Sequence, residues 1–90
     1  METKSITFAT DEWYDHHGRK VVWFTALVDG RRVDCGVSIE ALRARYGAFY
    51  DDPLPVFRAN RKRIEAVAAA LIKQQRFETE GTLIIRLEDL

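Results

Sequence analysis

The sequence is short of several things, and each shortage closes off a class of protein. A single cysteine, Cys35, leaves no intrachain disulfide to form and suits a reducing compartment. The longest uninterrupted apolar run, Ala66 to Ile72, falls far below the ~20 residues of a membrane-spanning helix. The N-terminus, METKSITF, lacks the hydrophobic segment of a signal peptide, so a soluble, cytoplasmic chain is expected. The five glycines are isolated, with neither G-x-G-x-x-G nor a P-loop among them, which removes the usual phosphate cradles. An excess of one charge is missing too. The 14 basic residues balance 14 acidic ones, so no global field draws in nucleic acid or a membrane. What remains is a 90-residue chain, 47% apolar, enough for one core in a single domain over residues 1–90. A chain of that size has little to spare for long catalytic loops.

The clearest local signal is a β-hairpin. Lys20 to Val28 is strand-like, Asp29-Gly30 is a favoured two-residue turn, and Arg31 to Val37 alternates again. A two-residue turn fixes the register, pairing Ala26 with Val33, Phe24 with Cys35 and Val22 with Val37, all apolar and on one face. The other face pairs Leu27 with Arg32, Thr25 with Asp34, and Trp23 with Gly36, where the aromatic ring can cover the glycine. A slip of one residue would ruin this agreement. Ahead of the hairpin, Ser5 to Ala9 alternates as a short strand, and Thr10 to Lys20 reads as a polar loop or single turn. After it, Ser38 is placed to cap a short amphipathic helix carrying Ile39, Leu42 and Tyr46, ended by Gly47.

Pro53 to Phe77 carries the helical period. Phe57, Ile64, Val67, Ala68, Leu71 and Ile72 share one apolar arc, and four alanines between 66 and 70 add propensity. Asp51 or Asp52 is a candidate cap, and Pro53 suits the first helical position. Asn60 and Arg61 interrupt the arc, and Gln75 does so again near its end. A straight 25-residue rod would measure about 37 Å, against a diameter near ~31 Å for a domain of this size. Either the ends overhang the core or the helix breaks around Ala59–Asn60. Gly81 to Leu87 then reads as a last strand, and the apolar Ile84 on its second side favours an interior position in the sheet. The expected fold is α+β: an antiparallel sheet, made of a three-strand meander plus the C-terminal strand, with two helices packed on one face in the order β-β-β-α-α-β.

The residues Ile6-Thr7-Phe8, Trp13, Val22-x-Phe24-x-Ala26-x-Val28-x-Gly30, Cys35 and Ile39-Glu40-Ala41-Leu42-x-x-Arg45-Tyr46-Gly47 form a pattern. With Phe57-Arg58-x-Asn60-Arg61-x-x-Ile64-Glu65 and Gln74-Gln75, it resembles the bacterial domain-of-unknown-function family numbered 1488. The resemblance covers nearly the whole chain. It implies a stand-alone bacterial α+β domain and brings no activity and no catalytic residues with it.

Candidate chemistry is thin. His16-His17, with Asp11, Glu12 and Asp15 nearby, have the donors for a metal but no partner at ligand spacing, and solvated imidazoles explain them as well. Cys35 faces inward in the hairpin register, as a small hydrophobe with a protonated thiol rather than a nucleophile. The serines are Ser5 and Ser38, and Ser38 serves as a cap. The residues therefore point away from an enzyme and from a bound cofactor or metal.

Two surfaces lean towards partners. Between Pro53 and Phe77, six basic residues face Glu65 alone, a charge of +5 that the rest of the neutral chain balances with −5. Arg58, Arg61, Lys62 and Arg63 crowd the first half of that segment, where the helix dipole disfavours cations. With Asn60 they form the candidate contact for nucleic acid or another polyanion; acidic loops could equally neutralise them within the fold. The second surface is the sheet face turned from the helices, where Val21, Trp23 and Leu27, with Ile84 nearby, form a candidate protein interface or dimer contact. A cover of that face by Trp13 and Tyr14 from the preceding loop is the competing reading. The favoured function is a non-enzymatic cytoplasmic accessory domain acting through protein contacts, by self-association or with a partner; polyanion binding is the alternative.

Overall fold

The turn at Asp29 and Gly30 sets the register of the sheet. Both residues take positive φ, 53° and 82°, the pair of left-handed conformations a two-residue hairpin needs and that Asp-Gly supplies at low cost. The structure, a computed structural model, describes residues 5–15, 17–49 and 52–90. Strands β1 (Ile6–Phe8), β2 (Trp13–Asp15), β3 (Val21–Val28), β4 (Arg31–Ser38) and β5 (Leu83–Ile85) form one sheet, with helices α1 (Ile39–Tyr46), α2 (Leu54–Ala59) and α3 (Arg61–Lys73) and a short 3-10 turn at Leu87–Asp89. The α+β architecture expected from the sequence is present, and every hairpin pairing read from it holds, from Leu27–Arg32 to Val22–Val37.

Three details differ from expectation. The stretch before the hairpin is a strand rather than a loop: β2 pairs with β3 so that Trp13 lies opposite Trp23 and Tyr14 opposite Val22. β1 and β2 run end to end along one side of β3, interrupted at residues 9–12. β5 lies at the opposite edge, not in the interior, and runs parallel to β4. Ile84 is nevertheless buried, because it lies over Gly36 beside the Trp23 ring. A methyl group on Gly36 would sit 3.0 Å from that ring and 3.2 Å from Ile84, so a side chain there would have to push the Trp23 ring or Ile84 aside by a few tenths of an ångström. Leu87 has left the strand for the 3-10 turn and is exposed.

The long helical stretch is two helices meeting at Asn60, the second of the two arrangements that the interrupted apolar arc allowed. Asn60 has φ −115° and ψ 13°, and its side-chain Nδ2 donates to the Val56 carbonyl at 2.9 Å. That bond ends α2 while the Asn60 carbonyl accepts from the Ile64 amide to begin α3. Phe57 and Ile64, on either side of the break, both point inward, each fully buried. α2 is preceded by Pro53 rather than by a carboxylate cap; Asp51 lies outside the described residues, as does His16. Ser38 does cap α1, its Oγ accepting from the Ala41 amide at 3.1 Å, and Gly47 ends the helix at φ 76°.

All three helices cover the same side of the sheet. Phe57, Ile64, Ala68, Leu71 and Ile72, with Ala41 and Leu42, pack on Val22, Phe24, Ala26, Cys35, Val37, Leu83 and Ile85. The Phe24 and Phe57 rings meet at 5.4 Å between centroids. No helix among the described residues is long and apolar enough to cross a membrane.

Candidate functional site

The break between β1 and β2 shapes the uncovered face. At the gap, Asp11 replaces a backbone partner of the sheet: its Oδ1 accepts from the Thr25 amide at 3.2 Å and its Oδ2 from the Thr25 hydroxyl at 2.7 Å. Arg61, at the start of α3, reaches the same gap from the helical layer. Its Nη2 donates to the carbonyls of Ala9 at 2.6 Å and Asp11 at 3.1 Å, its Nη1 to Glu12 at 3.3 Å, and its Nε to Glu65 at 2.9 Å. The planar guanidinium fork makes four contacts of this kind possible from one side chain. Arg58 pairs with the other oxygen of Glu12. The interruption therefore has a fixed geometry, and it delivers Trp13 to the open face directly across from Trp23.

On that face the two tryptophans have different surroundings. Trp23 is half-buried over Gly36, with the Arg19 guanidinium 5.6 Å from its ring centroid. Arg19 continues past the ring to Glu80 at 2.6 Å, so its side chain straps the face between the β2–β3 turn and the approach to β5. Trp13 is 61% exposed. Beside it runs a groove of ≈ 350 Å³ lined by Asp11, Glu12, Arg19, Trp23, Arg32 and Asp34, among others. Arg32 and Asp34 form an ion pair at 3.0 Å in which both side chains are more than half exposed. Thr25 forms the floor, 6% exposed.

The residues singled out in the sequence fall into distinct roles. Of the candidate interface, Trp23 lines the groove and Leu27 is 36% exposed outside its lining, while Val21 is 3% exposed and is not available to a partner without movement. Trp13, named only as a cover, is the exposed member. Tyr14 packs on the core side instead of over Trp23. Of the candidate anion contact, Arg58 and Arg61 are committed to Glu12, and Asn60 to Val56. Lys62 and Arg63 are exposed and have no ion-pair partner among the described residues. Asp15 accepts from the Gly18 amide at 2.8 Å and the Arg19 amide at 3.3 Å, which ties down the turn beside His17. Cys35 is fully buried, its thiol directed at the Val33 carbonyl, and burial pushes its pKa up to about 12. At neutral pH it is a protonated core side chain. The functions of Asp11 and Arg61 have no signal in sequence spacing, since their partners lie 14 and about 50 positions away.

Residues 6–85 match the family described as Protein of unknown function (DUF1488). The chain belongs to that family. It is similar to the uncharacterized protein YrdB of Escherichia coli (strain K12), with 34% identity over 79 residues, covering 87% of this chain and 92% of that protein. Among solved structures it is similar to a protein of unknown function from the DUF1488 family of Shewanella loihica PV-4. That likeness has a TM-score of 0.83 at 25% identity and covers 94% of this chain and 96% of the other. The match spans β1 to β5, so the interrupted strand, the hairpin and the α2–α3 break all fall inside the family's extent.

Proposed function

We propose that this DUF1488 domain is a non-enzymatic cytoplasmic accessory module that works through protein contacts made by the open face of its sheet. The observation that carries this reading is Trp13. It is a large aromatic side chain, 61% exposed, held on a strand whose geometry Asp11 and Arg61 fix from two sides. A rigidly mounted exposed tryptophan beside a groove is the composition of an interaction hot spot. Cys35 and Ser38, which might otherwise serve as nucleophiles, are already occupied in the core and at a helix cap. The test places a photo-crosslinking amino acid at position 13 in living cells, with position 66 on the exposed side of α3 as control, alongside sedimentation velocity over a range of concentrations. Discrete adducts or concentration-dependent association through position 13 but not 66 are expected. A strict monomer that yields no adduct from position 13 would sink the reading.

A second reading rests on Lys62 and Arg63. These two cations lie at the beginning of α3, where the dipole works against them, and no described carboxylate neutralises them. A polyanion would complement both. Titration of the labelled protein with short DNA and RNA duplexes at low and high salt checks this, and unchanged amide signals at residues 61–64 at low salt would dismiss it.

A further inference from the structure

The groove on the open face has a charge and aromatic character that specifies what it takes. Its lining carries three carboxylates, Asp11, Glu12 and Asp34, against two guanidiniums, Arg19 and Arg32. Their partners make the imbalance sharper at one end. Glu12 is neutralised from outside the groove by Arg58 and Arg61, and Arg19 by Glu80. The Asp11 carboxylate, in contrast, is held by the amide and hydroxyl of Thr25, both neutral, and has no ion-pair partner among the described residues. Asp34 is shared with Arg32 in a solvent-exposed pair, which is weak and readily exchanged. Trp13 lines the same groove, and among the described residues no cation covers its ring.

The chain itself displays the recognition chemistry one strand away. Over Trp23, directly opposite Trp13 in the register, lies the Arg19 guanidinium, stacked at 5.6 Å and neutralised by a carboxylate. A guanidinium on an indole face with a carboxylate at its rim is a favourable pairing of quadrupole and charge. Trp13 with Asp11 and Asp34 presents the same elements with the cation missing.

We infer that the groove docks a basic segment of a partner protein, with one arginine or lysine side chain laid on Trp13 and neutralised by Asp11 and Asp34. The inference rests on the open face being the protein-contact surface, and it names the chemistry of the partner. The ≈ 350 Å³ of the groove suits one long side chain with its flanking backbone rather than a whole domain surface. Arg19 and Arg32 also line the groove and would repel a second cation, so recognition is of a single basic residue rather than a polybasic run.

The experiment follows the indole N–H signals of Trp13 and Trp23 in the full chain during titration with N-acetyl-arginine amide, N-acetyl-lysine amide and N-acetyl-glutamate amide. Saturable movement of the Trp13 signal with the arginine and lysine probes, and none with the glutamate probe, is expected. Asp34→Asn and Asp11→Asn should each weaken the response about twofold to fivefold, and Trp13→Ala should abolish the shifts of neighbouring amides. Asp11→Asn keeps an oxygen for the Thr25 amide, and its Nδ2 can donate to the Thr25 hydroxyl once that hydroxyl turns to accept, so the strand break keeps two hydrogen bonds while the charge is removed. An unmoved Trp13 signal overturns the inference even where crosslinking from position 13 persists; the surface then stands and its partner is not cationic. Trp13 shifts that grow with protein concentration in the absence of probe also overturn it, by showing a second copy as the occupant. So do Trp13 shifts caused by a DNA duplex and not by arginine.

Discussion

The two faces of this sheet are built from the same two long strands and obey opposite rules. On the helical side, successive residues Val22, Phe24 and Ala26 of β3 and Cys35 and Val37 of β4 are all fully enclosed, and each is neutral and apolar. On the other side, alternate residues of the same strands supply Trp23, an Arg–Asp pair and a buried threonine holding a carboxylate, and β2 adds Trp13 beside them. The covered face is satisfied by size and shape alone, so its energy is in packing. The open face mixes aromatic surface with specifically placed charge, which contributes little to stability and much to selectivity.

Four substitutions would break or sharpen this contrast. The largest loss of stability is expected for Phe57→Ala, which empties the middle of the covered face; about 3–5 kcal/mol should disappear from the unfolding free energy measured in urea. Next comes Arg61→Lys, which keeps the charge but cannot reach Ala9, Asp11, Glu12 and Glu65 together. It should cost about 2 kcal/mol in the same measurement. It should also speed hydrogen exchange of the Ala9 and Thr25 amides, which lie on the open side of the comparison.

Asp89 gives a smaller, pH-dependent effect. Burial would raise its pKa, but hydrogen bonds from the Arg76 side chain and the Arg86 amide outweigh it and hold the carboxyl below the usual aspartate value. A depressed native pKa contributes stability above the unfolded pKa, near ~3.9, and that contribution is lost as the pH falls through the lower native value. Asp89→Asn should therefore lower Tm at pH 7 by about 4 °C, and the difference from the parent should close as acidification carries the solution through the lowered native pKa. A Tm gap that stays constant from pH 7 to pH 2 would contradict the assignment. Least of all for stability is Trp13→Ala. Being mostly exposed, it should move the unfolding free energy by no more than about 0.5 kcal/mol while removing the crosslink or binding signal of the open face.

Local rules made much of the fold legible. Asp29-Gly30 dictated a register that placed eight residue pairs, and Ser38 and Gly47 bounded α1, because turns and caps act within a few residues. The polar Asn60 and Arg61 on an apolar arc marked the helix break. What escaped was decided at a distance. β2 is three residues long, too short for periodicity to register, and exists because β3 offers it a partner. The apolar Ile84 suggested an interior strand; it is buried at the edge because Gly36 and Trp23 make a seat for it on the far face. The cluster of cations looked like one surface, yet Arg61 and Arg58 turn to Glu12, leaving Lys62 and Arg63 outside, and no spacing rule announces a bridge across roughly 50 residues.

The Arg61 anchor has one more consequence. The outermost strand of a sheet is a template on which other chains can add strands without limit, and proteins suppress that growth in several ways. Here the strand is cut in two at residues 9–12, and the carbonyls of Ala9 and Asp11 are already taken by a guanidinium from the helical layer. A strand arriving from another molecule would find neither an unbroken rail nor free acceptors at the cut. The same side chain that fixes the strand carrying Trp13 thus guards this edge of the sheet against strand addition, and a chain lacking it should reveal itself in slow aggregation.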